Sequence, residues 1–159
     1  ESDEMVVAVP VAADSPGARR LIALSDQYMN ALYPAGSNHL ESERALLQPN
    51  VCFVGIEADN TLAACGAVKL MTDDGVYGEI KRVFVLPTHR GRGYARSIMH
   101  ALEEALRLRR VGVARLETGI LQPEALRLYR ALGYRERRPF GAYVPDPLSL
   151  FMEKAIDSP

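Results

Sequence analysis

Cysteine, histidine and long apolar runs are all scarce in these 159 residues, and each scarcity closes off a class of protein. The two cysteines, Cys52 and Cys65, are too few for a disulfide framework in a chain of this length. Both sit inside apolar runs and read as small buried hydrophobes, with a reducing cytoplasm as the expected compartment. The three histidines, His39, His89 and His100, are scattered, and no two cysteines are spaced as a ligand pair. Nothing has zinc-ligand spacing, and no metal is expected. No apolar run approaches the ~18 residues of a membrane span, and no stretch has the pattern of a signal peptide. The formal net charge of -1 leaves no global basic field for nucleic acid or an anionic membrane.

What is present is ordinary in bulk and specific in places. A composition of 48% hydrophobic and 25% charged residues fits a globular protein. The length suits one domain over residues 1–159, large enough to bury a core without metal or disulfide support. The opening Glu1-Ser2-Asp3-Glu4 is assigned no role in it. A β-branched run at 5–9 ended by Pro10 predicts a first strand. Asp14-Ser15-Pro16 supplies a cap and a first-turn proline for a helix carrying Leu21, Leu24, Tyr28 and Leu32 at helical spacing, and Pro34 to Gly36 stop it. A shorter helix is predicted at 39–47. Two apolar runs, 51–57 and 62–70, flank Ala58-Asp59-Asn60-Thr61, turn formers that tolerate left-handed backbone, and so predict a hairpin. A strand at 76–86 ends at Pro87, a helix fills 91–110, a strand 113–120, and a helix 123–132 closes at Gly133. Final strands are expected at 134–137 and 148–154, around a turn rich in proline and glycine. The order βααβββαβαββ, without repeats or linkers, implies an α/β fold with a mixed sheet covered on both faces.

The segment with the most chemistry is Arg90-Gly91-Arg92-Gly93-Tyr94-Ala95, between a strand and a long helix. Two glycines let the backbone bend and approach a ligand with no side chain in the way. Free N–H groups at a helix start favour negative charge, so this loop, helped by Arg90 or Arg92, suits a pyrophosphate. The fingerprints of dinucleotide folds and P-loops are absent, and the loop follows the fourth strand instead of the first.

This segment, preceded by Glu79-Ile80-Lys81-Arg82-Val83-Phe84-Val85, resembles the GNAT N-acetyltransferase family. The family's acetyl-CoA signature, Gln/Arg-x-x-Gly-x-Gly/Ala, is matched by Arg90, Gly93 and Ala95. A second family element, Ala-x-x-Leu-Tyr-x-x-x-Gly-Phe/Tyr, appears at 125–134. The resemblance spans nearly the whole chain and is weakest in the first fifty residues. It implies a mostly antiparallel mixed sheet with helices on both faces, acetyl-CoA as cosubstrate and a primary amine as acceptor. It also implies that the main chain of Phe84 and Val85 pairs with the pantetheine arm, and that Arg90, Gly91, Arg92, Gly93, Tyr94 and Ala95 hold the pyrophosphate. Where family members often carry Asn against the cofactor arm, this chain has Gln122, which can still offer an amide. Tyr129 matches the tyrosine that serves as general acid to the departing thiolate, and Glu79 a position of a catalytic base. A carboxylate serves as base provided partial burial raises its pKa.

Structural readings stand beside these roles. Glu79 can pair with Lys81, two residues on along the same strand face, and Tyr129 can be a plain core residue. Glu117, in Glu117-Thr118-Gly119, is a second candidate base, and His39, beside Ser37 and Asn38, a candidate substrate contact. The connection from Pro139 through Tyr143 to Pro147 has the character of a pocket-shaping loop. Near-neutral charge and the lack of an accessory module favour a small-molecule amine over protein termini or lysines. Lys81 and Arg82 would suit an acceptor bearing a carboxylate. A non-catalytic acyl-CoA sensor on the same fold would not need Glu79 or Tyr129. A homodimer is an expectation carried by the resemblance alone.

Overall fold

A computed structural model of the chain describes residues 6–37 and 41–157. Its elements run β1 (Val9–Pro10), α1 (Pro16–Leu32), α2 (Glu43–Leu46), β2 (Val51–Ala58), β3 (Thr61–Met71), β4 (Tyr77–Val85), α3 (Tyr94–Leu108), β5 (Val113–Gly119), α4 (Pro123–Ala131), β6 (Arg135–Arg137) and β7 (Ser149–Ala155). The seven strands form one sheet in the order β1-β2-β3-β4-β5-β7-β6. Every pairing is antiparallel except β4 with β5. The α/β order inferred from the sequence is recovered element for element.

Local chemistry explains most boundaries. Ser15 caps α1 by accepting from the amide of Ala18, with Pro16 in the first turn where no N–H is needed. Asp59 and Asn60 both take positive φ, 53° and 62°, as a two-residue hairpin turn between β2 and β3 requires. Two expectations shift. The first strand is Val9–Pro10 and does not stop short of Pro10, because an edge strand tolerates a residue without a donor. The second helix shrinks to Glu43–Leu46, since Ser42, in extended conformation, caps it by accepting from Ala45. Residues 1–5 and His39 lie outside the described residues.

Helices cover both faces. Ile98 and Leu102 of α3 lie against Gly66 of β3, while Gly17 of α1 lies against Leu62 on the opposite face. Ile98, Met99, Leu102, Leu106, Leu116 and Met152 form the fully buried centre between α3 and the sheet. A smaller aromatic cluster of Tyr77, Phe140 and Phe151, with Tyr143 against it, fastens the 138–148 connection over the sheet.

Two irregularities of β4 position the site. Opposite the single residue Gly66, β4 carries both Arg82 and Val83, a bulge in which Arg82 takes φ 59°. The Arg82 side chain stabilises this backbone by donating to Asp26 of α1 and to the Glu41 carbonyl. Just before the bulge, β4 and β5 part. Their parallel pairing covers only Gly78 to Ile80 against Ala114 to Leu116. From Lys81 onward β4 has no ladder partner on that side, and a cleft opens between the two strands.

Candidate active site

The cleft holds two adjoining cavities. The larger, ≈ 460 Å³, runs along the free part of β4 to the start of α3 and is bounded across the gap by α4. Phe84, Val85, Arg90, Gly91, Gly93, Tyr94, Ala95 and Gln122 all line it. Gly91 and Gly93 take φ of 82° and 79°, a conformation that disfavours any side chain, and both face open space. Gly93 is the cap residue of α3, and no side chain caps that helix. The amides of Tyr94, Ala95 and Arg96 are therefore left for an anion at the positive end of the helix. The Arg90 guanidinium lies 5.3 Å from the Tyr28 ring and 5.9 Å from the Phe84 ring, and its Nε donates to the Val85 carbonyl. Arg92 is the exception. It turns away from the cavity toward Asp59, 3.5 Å distant.

The smaller cavity, ≈ 90 Å³, lies between β4 and β5 on the α1 side. Ser25 and Met29 of α1, Glu41, Glu79, Lys81, Arg82, Glu117 and Tyr143 border it. Glu79 is 5% exposed, and both its hydrogen bonds end on Oε2: one from Lys81 Nζ at 3.2 Å, one from the Tyr143 hydroxyl at 2.6 Å. The pairing with Lys81 is thus present, and Lys81 also reaches Tyr143 Oη at 3.1 Å. Burial pushes the Tyr143 phenol well above its ordinary value, and the charge of Glu79 adds to the effect. Glu117 accepts from Ser149 at 2.8 Å.

Tyr129 lines both cavities. Its ring is 8% exposed and meets Tyr134 edge-on, with centroids 6.0 Å apart. Burial first, and the charge of Glu117 second, push its phenol up to about 12. Tyr33, Tyr77, Tyr134 and Tyr143 each donate to a protein oxygen. Among the described residues, the Tyr129 hydroxyl has no such partner. Gln122 also borders both cavities. As cap residue of α4 it makes no side-chain cap bond, and its Oε1 accepts from Tyr33, whose hydroxyl accepts from the Leu121 amide.

The acetyl-CoA signature therefore sits on an uncapped helix start, and it adjoins a strand edge with free backbone groups. The sequence profile of the acetyltransferase (GNAT) family matches residues 18–134. The chain belongs to this family. Its relatives include an IAA acetyltransferase of Azospirillum brasilense, 42% identical over 151 residues, 93% of this chain and 98% of the relative. Among solved structures, a proposed acyl-CoA N-acyltransferase of Klebsiella pneumoniae is 34% identical, with TM-score 0.81, 96% of this chain covered and 99% of the other. The PaiA N-acetyltransferase of Thermoplasma acidophilum, in complex with coenzyme A, shares the fold at 16% identity, with TM-score 0.72 and coverage of 96% and 99%. The GNAT chain is an acetyl-CoA-dependent N-acetyltransferase.

Two residues bordering the larger cavity escaped the sequence reading. Tyr28, marked in the sequence only by its helical spacing, borders the larger cavity. His89 also borders it, with its ring between Thr88 and Asp59. Tyr143 reaches Glu79 across 64 positions of sequence. The aromatic loop signal pointed to the region of Tyr143 but not to its partner. No helix among the described residues is long and apolar enough to cross a membrane.

Proposed function

We propose that this GNAT enzyme acetylates the primary amine of a small molecule, with Tyr129 serving the sulfur and Glu79 the nitrogen. The observation that carries this reading is the unpartnered, buried Tyr129 hydroxyl at the junction of the two cavities. A buried phenol without a partner costs stability, so a ligand atom is its natural complement.

The loop from Arg90 to Ala95 would hold the pyrophosphate through backbone amides, and the free edge at Phe84 and Val85 would align the pantetheine arm. Gln122 can offer its amide nitrogen from across the gap. An acceptor entering as an ammonium has no lone pair, so it first gives a proton to Glu79, directly or through water. Lys81 and Tyr143 engage Oε2 and thereby leave Oε1 for this task. The neutral nitrogen then attacks the thioester carbonyl. The N–C bond forms, the C–S bond breaks and the electron pair goes to sulfur. The second proton lost by nitrogen balances the one that sulfur gains.

Magnitudes set what Tyr129 contributes. With its phenol near 12, Tyr129 is protonated at neutral pH. It is a weaker acid than an ordinary thiol by three to four decades, about 5 kcal/mol. Full transfer to the thiolate is therefore uphill. The phenol acts chiefly as a hydrogen-bond donor to the developing negative charge, which is where differential stabilisation counts.

A cavity of ≈ 90 Å³ beneath the 138–148 connection favours a slender acceptor, and the relationship to the IAA acetyltransferase supports a small molecule. The test is thiol release from acetyl-CoA, with product mass, across a panel of small amines and lysine or N-terminal peptides. Turnover confined to peptides would sink the small-molecule reading. Binding of acetyl-CoA with no turnover of any amine would favour a sensor.

A further inference from the structure

Charge around the smaller cavity narrows the acceptor further, provided the amine-acetylating reading holds. Among the described residues, the cavity is bordered by three carboxylates, Glu41, Glu79 and Glu117, and by two cations, Lys81 and Arg82. An acceptor bearing a carboxylate, such as an amino acid, would need one of those cations.

Both are engaged within the protein. Arg82 has a side chain only 5% exposed. Its Nη1 donates to Asp26, and its Nε and Nη2 donate to the Glu41 carbonyl. These bonds also stabilise the left-handed backbone of the bulge, so releasing the guanidinium would cost backbone order as well as an ion pair. Lys81, 12% exposed, is fixed between Glu79 and the Tyr143 hydroxyl, and its Nζ lies 5.7 Å from the Tyr143 ring centroid. Turning it toward a ligand would leave the buried Glu79 without its counter-ion, an expensive exchange. Glu41 in turn pairs with Lys69. A ligand carboxylate in this cleft would thus meet like charge and committed cations. An ammonium would meet carboxylate oxygens. The remaining walls combine apolar Met29, Val83 and Leu116 with the neutral Ser25, Thr118 and Gln122, and ≈ 90 Å³ is far below the ~300 Å³ at which sites for drug-sized ligands begin.

We infer that the acceptor is a slender aliphatic primary amine without a carboxylate, and that the Asp26–Arg82 and Glu79–Lys81 pairs enforce the exclusion. The matched probes are hexylamine and 6-aminohexanoate, which share chain length and amine and differ by the acid. With wild-type enzyme and saturating acetyl-CoA, kcat/KM by thiol release should favour hexylamine by roughly tenfold or more, as expected for like-charge rejection. Titration of each probe into enzyme saturated with coenzyme A should show heat for hexylamine alone. In Asp26→Asn, which removes the charge holding Arg82, the preference ratio should fall toward unity with circular dichroism unchanged.

Equal or better use of 6-aminohexanoate by the wild type would overturn this inference and leave small-amine acetylation standing. An unchanged ratio in folded Asp26→Asn would refute the role given to that ion pair. Turnover of neither probe, with lysine peptides accepted, would remove the inference and the small-molecule reading together.

Discussion

Replacing Tyr129 by Phe removes one oxygen atom, and the structure makes the consequences for stability and catalysis differ in sign. The hydroxyl has no protein partner among the described residues, so folding loses no hydrogen bond. An unsatisfied buried hydroxyl costs about 1–3 kcal/mol, and Phe avoids that cost. The edge contact with Tyr134 needs only the ring. Tm should hold or rise by a few degrees, since ~1 kcal/mol moves a domain of this size by about 2–4 °C. Catalysis should suffer. A hydrogen bond to a charged acceptor is worth about 1.5–3 kcal/mol, and at ~1.4 kcal/mol per decade kcat should fall about 10- to 150-fold. Affinity for acetyl-CoA should change little, because the thioester sulfur is uncharged before it departs. Chromogenic detection of free thiol gives kcat, calorimetric titration gives affinity, and a thermal melt gives Tm. A melt lowered by several degrees with kcat preserved would mean that Tyr129 is a core residue. Equal loss of kcat and affinity would argue against donation to the leaving sulfur.

Three further outcomes follow from named contacts. Gly93→Asp should keep the fold, since nothing lies within 4 Å of a Cβ there, but lose roughly tenfold or more in acetyl-CoA affinity by setting a carboxylate at an anion site and straining φ 79°; unchanged titration would discard the phosphate-loop assignment. Gly119→Ala would drive a Cβ into the Tyr33 ring and Oη, displacing the hydroxyl that serves Leu121 and Gln122. A loss of about 1–3 kcal/mol in denaturant melts should accompany weakened cosubstrate binding, and a neutral melt would show the contact to be wrong. Glu153 is pushed up by burial but pulled down further by Arg115 and Arg137, so its folded pKa is lowered overall. Its contribution to stability is present above the ordinary glutamate value of ~4.3 and lost as pH falls through the lowered one. Acid melts of Glu153→Gln should therefore show a shallower decline below that value than wild type, and parallel curves would exclude the pair as a source of acid sensitivity.

The chain order of elements and the glycine turn at the start of α3 were legible in the sequence because both rest on local rules. Ser15-Pro16, Asp59-Asn60 and Gly91-x-Gly93 act through backbone conformation and capping within a few residues, wherever the rest of the chain goes. The short second helix and the first strand were misjudged at their ends, where a cap at Ser42 and an edge position for Pro10 decide between equally apolar readings. Tyr129 was found by motif, yet its lack of a hydrogen-bond partner is a property of everything around it and appears only in three dimensions.

The acceptor side was the least legible. Lys81 and Arg82 read in isolation as free cations suited to a carboxylate. Their partners Asp26, the Glu41 carbonyl and Tyr143 come from α1, from the segment before α2 and from the loop before β7, between 41 and 62 positions away. A β-bulge and the parting of two strands cannot be read from alternation of side chains, since both arise from how neighbouring strands register. The sequence determined the glycine loop that opens α3, because local backbone chemistry builds it. The fold determined what the cleft will admit, because charge there is set by pairs that only the sheet brings together.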